Sequence, residues 1–191
     1  MRIITGKARG KVLKTLPGEA TRPTAEKVKE ALFSAIQFDI EGRTFLDLFA
    51  GSGQMGLEAL SRGAASATFI DASAEAIAIV KENATRTGAF SVSHFLVSDY
   101  RNYIRKAAGR DRFDLIFIDP PYAERLAADA LDRILRAELA KPGCIFIVES
   151  EEENIFAEKP ALAARFTVER HRQYGRAHVH ILTLSPSEDT P

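Results

Sequence analysis

The run Asp119-Pro120-Pro121-Tyr122 sets a carboxylate, a stiff turn and an aromatic ring side by side. Those features suit chemistry on an amino group attached to an aromatic base. The lone pair of such a nitrogen is delocalised into the ring, which makes it a poor nucleophile. Two acceptors that hold its N–H groups localise the lone pair and aim it. Asp119 supplies one acceptor and the carbonyl of Pro120 the second, while the paired prolines fix the turn so that both are positioned in advance. Tyr122 offers a face on which the base can stack. The four residues are therefore candidates for activating an exocyclic amine toward an in-line displacement, chemistry that requires no metal.

A second run, Asp47-Leu48-Phe49-Ala50-Gly51-Ser52-Gly53-Gln54-Met55-Gly56, holds Gly51, Gly53 and Gly56 in the spacing G-x-G-x-x-G, and Asp71 stands 20 residues after Gly51. Glycines allow backbone amides to approach a ligand, and an acid at that distance can accept hydrogen bonds from ribose hydroxyls. The spacing by itself suits NAD equally well. Asp47, just before the glycines, would repel a pyrophosphate but suits a sulfonium ligand that also carries an ammonium group, which favours S-adenosylmethionine. Asp99 can bond an adenine amino group and also cap the helix that follows it. Asp47, Phe49, Gly51, Gly53, Asp71 and Asp99 are the candidate cofactor-binding residues. A dehydrogenase has no use for the Asp119 run, so the two motifs together point to methyl transfer.

Both motifs need strands that end where they begin. Candidate strands cover 44–49, 67–71, 92–97, 113–118 and 144–149, alternating with candidate helices over 54–62, 73–86, 99–108, 124–139 and 153–163. Most of the strands are continuous apolar runs, as expected for a parallel sheet covered by helices on both faces. The alternation predicts a doubly wound α/β fold. Upstream, residues 1–16 read as two short strands around a Gly6–Gly10 turn. Thr24 reads as the cap of a helix to about Phe38, with Val28, Ala31, Leu32, Ala35 and Ile36 on its buried face. Downstream, 165–172 and 177–184 read as an antiparallel hairpin around Tyr174-Gly175-Arg176, and 185–191 as a disordered end. The expected division is a basic arm and loop over 1–23, a catalytic domain over 24–184 and a tail over 185–191.

A length of 191 residues suits one such domain. Formal net charge is zero, but residues 1–29 carry eight lysines and arginines against two glutamates. Such asymmetry suggests a basic arm that meets phosphates, the alternative being a solvated hairpin with lysines placed for solubility. The single cysteine, Cys144, excludes an internal disulfide and a cysteine zinc cage, and in the run CIFIV it reads as a buried strand thiol. His94, His171, His178 and His180 show no ligand spacing and read as strand or surface residues, so no metal is expected. No apolar run approaches the roughly 20 residues of a membrane span. The segment MRIITGKARG lacks the apolar core of a signal peptide, so a cytoplasmic location is expected.

With these motifs in place, the chain resembles the RsmD family, which methylates N2 of a guanine in small-subunit (16S) ribosomal RNA. The matching segments are RIITGKARGKVL (2–13), TRPT with VKEALF (21–33), LDLFAGSG (46–53), LEALSRGA (57–64), FDLIFIDPPY (113–122) and YGR (174–176). The resemblance implies a Rossmann-like class I methyltransferase with a mainly parallel seven-stranded sheet ending in an antiparallel hairpin, plus an N-terminal β-hairpin arm. It implies that the cofactor residues named above contact S-adenosylmethionine and that 119–122 hold the amino group of the target guanine. By the same resemblance Arg22 and Thr24 border the cleft, and Arg2, Lys7, Arg9 and Lys11 grip RNA. A salt bridge anchoring the following helix is the other role open to Arg22. Gln54-Met55, Asp71 and Ala177 depart from the usual family residues, which tend to be smaller residues, glutamate and threonine respectively.

Three other functions are compatible with parts of this pattern. A DNA adenine-N6 or cytosine-N4 methyltransferase uses the same four-residue chemistry, but usually needs extra mass to read a duplex and flip a base. A protein-glutamine methyltransferase typically carries asparagine at the Asp119 position and a separate helical domain. A non-catalytic RNA-binding assembly factor has no reason to keep Asp119, Tyr122 and the glycine loop together. The expected partner is 16S ribosomal RNA, within the small ribosomal subunit or an assembly intermediate, and the expected state is a monomer.

Overall fold

Apolar strand runs interleaved with amphipathic helices produce a seven-stranded sheet in the order β3-β2-β1-β4-β5-β7-β6. The computed structural model describes residues 1–16, 23–121 and 126–186, with only the backbone of 23–25. The strands are β1 (Thr44–Asp47), β2 (Ser66–Asp71), β3 (Ser93–Val97), β4 (Phe113–Ile118), β5 (Ala140–Ser150), β6 (Phe166–Tyr174) and β7 (Ala177–Leu184). The helices are α1 (Pro23–Ala35), α2 (Gln54–Ser61), α3 (Ala74–Thr87), α4 (Tyr100–Ala107), α5 (Ala127–Arg136) and α6 (Pro160–Ala163). β1 to β5 pair in parallel, whereas β7 is antiparallel to both β5 and β6. The doubly wound reading and the closing hairpin are thus both present.

Period-two alternation divides the core between two faces. Phe45, Leu115, Phe117 and Ile147 point to the side covered by α1, α2 and α3, where they meet Leu32, Leu57 and Ile77. Their neighbours Leu46, Ile116, Ile118 and Phe146 point to the opposite side and pack on Tyr103, Ile104, Leu131 and Ile134 of α4 and α5. Among the described residues no helix is long and apolar enough to cross a membrane, and no group of three potential metal ligands is found.

Several element expectations change. The N-terminal segments pair as a short antiparallel hairpin, with one bridge between Arg2 and Val12 and backbone bonds from Ile3 N–H to the Lys11 carbonyl, Gly10 N–H to the Ile3 carbonyl and Leu13 N–H to the Met1 carbonyl at 2.9–3.0 Å. Its remaining backbone groups bond to α2: Ile4 and Thr5 N–H donate to the Glu58 carboxylate at 2.8 and 3.0 Å, and Ala8 N–H donates to Ser61 Oγ at 2.9 Å. Gly6 sits so close that a Cβ there would lie 1.8 Å from the Ser61 carbonyl oxygen. Ile3, Ala8 and Leu13 are buried in the same core cluster as α1 to α3. The arm is thus a hairpin strapped onto the helical layer.

α1 starts at Pro23, so Thr24 is its second residue and not its cap, and it ends at Ala35 before a 3₁₀ turn over Gln37–Asp39. Its buried face is Val28, Lys29, Leu32, Phe33 and Ile36, while Ala31 is exposed. The helix is rotated from the expected stripe because Lys29 turns inward to Glu58, an ion pair of 3.4 Å with both side chains almost fully buried. The helix expected over 153–163 shrinks to α6, because Pro160 lacks an N–H and drives Lys159 out of helical geometry (φ −136°, ψ 67°). The helix expected over 124–139 covers 127–136, and residues 122–125 lie outside the described residues. So do residues 187–191, most of the expected disordered tail.

Candidate active site

The strand order reverses between β1 and β4, and at such a switch point the loops leaving neighbouring strands diverge and open a crevice. The loops after β1, β2, β3 and β4 line a cleft of about 480 Å³ there. Gly51, Asp71, Asp99 and Asp119 all face it, together with Phe49 and Pro120. Motifs separated by up to 68 positions in the chain, Gly51 to Asp119, therefore meet in one space.

The glycine loop is held by the acid at the end of β2. Gly51 N–H donates to Asp71 Oδ2 at 2.9 Å, and Ser73 N–H donates to Asp71 Oδ1 at 2.8 Å. Each carboxylate oxygen keeps a second lone pair for a hydroxyl donor. Gly53 stands at the N-cap of α2. Gly56 explains how α2 lies so close to the sheet, since a Cβ there would meet the Phe69 ring at 2.3 Å. Asp99 caps α4 by accepting from Arg101 N–H at 2.9 Å and still borders the cleft, so its two expected roles are geometrically compatible. Phe49 packs on Tyr100 with ring centroids 5.2 Å apart.

Asp47 and Gly53 are not among the cleft-lining residues. Asp47 lies behind the loop, 1% exposed, with Oδ2 accepting from Gly56 N–H at 3.1 Å. Burial pushes its pKa up to about 7, the Gly56 hydrogen bond opposes this, and nearby Asp71 adds to the rise. Since an unfolded aspartate titrates near 3.9, the folded protein keeps a proton that the unfolded chain releases between about pH 4 and 7. That contribution to stability is present at low pH and disappears as pH rises through the folded value. Asp47→Asn keeps an acceptor for Gly56 but cannot ionise. Urea unfolding is expected to show the variant more stable than the parent at pH 8, by up to about 4 kcal/mol, with the two converging near pH 4. A difference independent of pH would mean that Asp47 is not held in this buried state.

Asp119 directly follows the last residue of β4 and is half-buried; Pro120 is buried and Pro121 exposed. Tyr122 and Arg22 lie outside the described residues, as does the side chain of Thr24. Among the described lining residues there are three carboxylates, Asp71, Asp99 and Asp119, and no lysine, arginine or histidine. This donor set fits a cationic sulfonium ligand and is hostile to a pyrophosphate.

The arm's cations do not line this cleft. Lys7, Arg9 and Lys11 are exposed on the strap, and Arg2 pairs with Glu26 at 3.4 Å. Lys29, counted in the basic excess, is buried. Two residues that sequence reasoning passed over matter here. Asn83 of α3, fully buried, donates from Nδ2 to the carbonyls of Lys14 and Ser52, both at 2.9 Å, and so ties the strap to the glycine loop. Tyr100 lines the cleft and donates its hydroxyl to Asp129 at 2.7 Å; burial and Asp129 raise its pKa and keep it protonated. Its position next to Asp99 was the available signal.

Comparison with known proteins agrees with this geometry. The family model described as Conserved hypothetical protein 95 matches residues 1–183. The Bacillus subtilis protein YlbH is 35% identical over 182 residues, covering 95% of this chain and 97% of that one. The Haemophilus influenzae protein named Ribosomal RNA small subunit methyltransferase D is 33% identical over 154 residues, 80% of each chain. The solved structure of yhhF from Escherichia coli superposes with a TM-score of 0.84 at 27% identity, covering 98% of this chain and 99% of that one. With its motifs running from the N-terminal strap to the closing hairpin, the chain belongs to the Conserved hypothetical protein 95 family, which is the RsmD family.

Proposed function

We propose that this protein transfers the methyl group of S-adenosylmethionine to the exocyclic N2 amino group of a guanine in small-subunit ribosomal RNA. The observation that carries this reading is the meeting of Asp119-Pro120 with Asp71 and Asp99 in one acidic cleft. The relatives named Ribosomal RNA small subunit methyltransferase D, from Haemophilus influenzae and Escherichia coli, at 33% and 32% identity, support the choice of RNA.

S-adenosylmethionine, when bound, supplies a methyl group activated by the positive sulfur. Asp71 holds the ribose hydroxyls, Asp99 accepts from the adenine amine, and Phe49 packs on the ligand beside Tyr100. Asp119 and the Pro120 carbonyl hold the two N–H groups of the target amine, and Tyr122 stacks on the base. After transfer the amine loses one proton, to solvent or to Asp119. In this reading the strap is an RNA-binding extension of a catalytic domain over 24–184, and the protein acts as a cytoplasmic monomer on the subunit or an assembly intermediate.

Labelled methyl groups are to be followed from S-adenosylmethionine to unmodified small subunits, free ribosomal RNA and duplex DNA, with digestion to nucleosides. Label in N2-methylguanosine is expected; label in adenine or cytosine of DNA would keep the mechanism and replace the substrate. Binding without transfer to any of them would favour the assembly-factor reading. Replacing Lys7, Arg9 and Lys11 with glutamine is expected to weaken RNA binding and make its dependence on log salt shallower by about one unit per lost phosphate contact. An unchanged slope would move the RNA surface off the strap.

A further inference from the structure

Strand β6 closes one edge of the sheet, and residues 165–176 around it hold four arginines and one glutamate. Alternation puts Arg170, Arg172 and Tyr174 on one face of this strand. There they border a groove of about 180 Å³ whose opposite wall is α1. Val179 and Ile181 of β7 form its apolar floor, and the small side chains of Ala31 and Ala35 leave room along α1. Tyr174 is half-buried and packs partly on the core, whereas Arg170 and Arg172 are exposed. Among the described residues neither arginine has an acidic ion-pair partner. The one glutamate, Glu169, bonds Thr183 Oγ1 at 2.7 Å.

The groove is oriented toward the cleft. Tyr174 pairs with Ala177, and the next residue of β7, His178, pairs with Ser150 at the carboxyl end of β5. β5 runs parallel to β4, whose carboxyl end delivers Asp119. The Tyr174 end of the groove therefore opens on the same sheet edge as the cleft. It lies three strand spacings from β4, roughly 15 Å.

We propose that the groove between α1 and β6 binds an unpaired stretch of RNA flanking the target base, with phosphates on Arg170 and Arg172 and a base stacked on Tyr174. An aromatic face beside a row of cations is the arrangement that holds single-stranded nucleic acid without base-specific contacts. Charge on an edge strand also protects against strand-to-strand aggregation. That role alone needs neither the groove nor the alignment of Tyr174 with both arginines. The proposal rests on the reading of the cleft as an RNA-modifying site and supplies it with a second anchor, separate from the strap.

The test uses the full chain and three variants, Arg170→Gln/Arg172→Gln, Tyr174→Ala and Tyr174→Phe. Binding is measured on an unstructured RNA of about twelve nucleotides, and methyl transfer on unmodified small subunits. Loss of two phosphate contacts on a single strand is expected to make the salt slope shallower by about 1.4 units. The KM for subunits is expected to rise on the order of tenfold, with kcat and S-adenosylmethionine affinity unchanged. Tyr174→Ala is expected to weaken RNA binding about five- to hundredfold, and Tyr174→Phe to restore it. Variants that keep the parent slope and KM overturn the groove, and if they aggregate instead, edge protection is its role. A parent that methylates subunits while the variants match it loses the groove and keeps the function. A parent that binds the RNA through the groove but methylates no RNA loses the function and keeps the groove. A parent that does not bind the oligonucleotide overturns the groove outright.

Discussion

Asp119→Ala is expected to lower the rate of methyl transfer by about 10³-fold or more while leaving S-adenosylmethionine affinity within a few-fold of the parent. The expectation follows from how the cleft divides its work. Asp71 and Asp99 come from the ends of β2 and β3, whereas Asp119 comes from the end of β4 on the other side of β1. In the proposed reading the cofactor's hydrogen-bonding groups and the reacting amine thus face different loops. Removing an acceptor that is fixed in place before the reaction begins raises the barrier without weakening ground-state binding. Asp119→Asn separates two contributions, because its amide oxygen still accepts one hydrogen bond but carries no charge. An intermediate loss of rate is expected for it. Single-turnover transfer with labelled cofactor, alongside equilibrium dialysis, measures both quantities. If affinity collapses together with rate, Asp119 holds the cofactor and the amine must be activated elsewhere.

The parts of the fold that could be read from the sequence are those where local pattern and tertiary environment demand the same residues. The run FDLIFI becomes β4 over 113–118 because a strand covered on both faces needs unbroken apolar content. The glycine loop and the Asp119 turn fall at carboxyl ends of parallel strands, and the sheet order alone brings them together. The hairpin was legible because Gly175-Arg176 interrupts two strand-like runs, and the observed strands stop at Tyr174 and resume at Ala177.

What was not legible depended on partners distant in the chain. Lys29 carries a charge and sits in a basic segment, so composition counts it as a surface cation. Its burial depends on Glu58, 29 positions away. The strap's backbone closes a hairpin on itself, as its residues suggest, but nothing local reveals that Glu58 and Ser61 accept the N–H groups left over at Ile4, Thr5 and Ala8. Asp47 was read as facing a ligand because it precedes the glycines. The tight approach of α2 at Gly56 turns it inward, where it accepts from the Gly56 amide. The cluster of His171, His178 and His180 gave no spacing signal because two strands, β6 and β7, contribute it. His171 Nε2 lies 3.0 Å from His178 Nδ1, and the His171 and His180 rings stack at 4.4 Å.

The second large effect is expected from Glu58→Ala, which should destabilise the protein by about 3–5 kcal/mol. Glu58 is fully buried and accepts from four donors on three segments: Ile4 and Thr5 N–H of the strap, Arg62 Nε at 2.8 Å, and Lys29 Nζ at 3.4 Å. Alanine leaves two strap amides without acceptors and Lys29 buried without its counter-charge, keeping only its bond to the Arg2 carbonyl at 2.6 Å. A loss of that size is a large share of the 5–15 kcal/mol that holds a typical domain folded. Burial already lowers the Lys29 pKa, and Glu58 is the main influence opposing it. In the variant the lysine favours its neutral form more strongly, while in the unfolded chain it still titrates at its ordinary value. The destabilisation should therefore be greatest at low pH and shrink as pH rises toward the ordinary lysine range. Adding Lys29→Met to Glu58→Ala should recover part of the loss, because an apolar side chain of similar length carries no desolvation penalty. Denaturant unfolding of the two single variants and the double variant across pH measures all of this. Additive losses in the double variant would show that Lys29 and Glu58 do not act as a pair. The strap would then owe its position to Ile3, Ala8 and Leu13 in the core, and not to the buried charges beneath it.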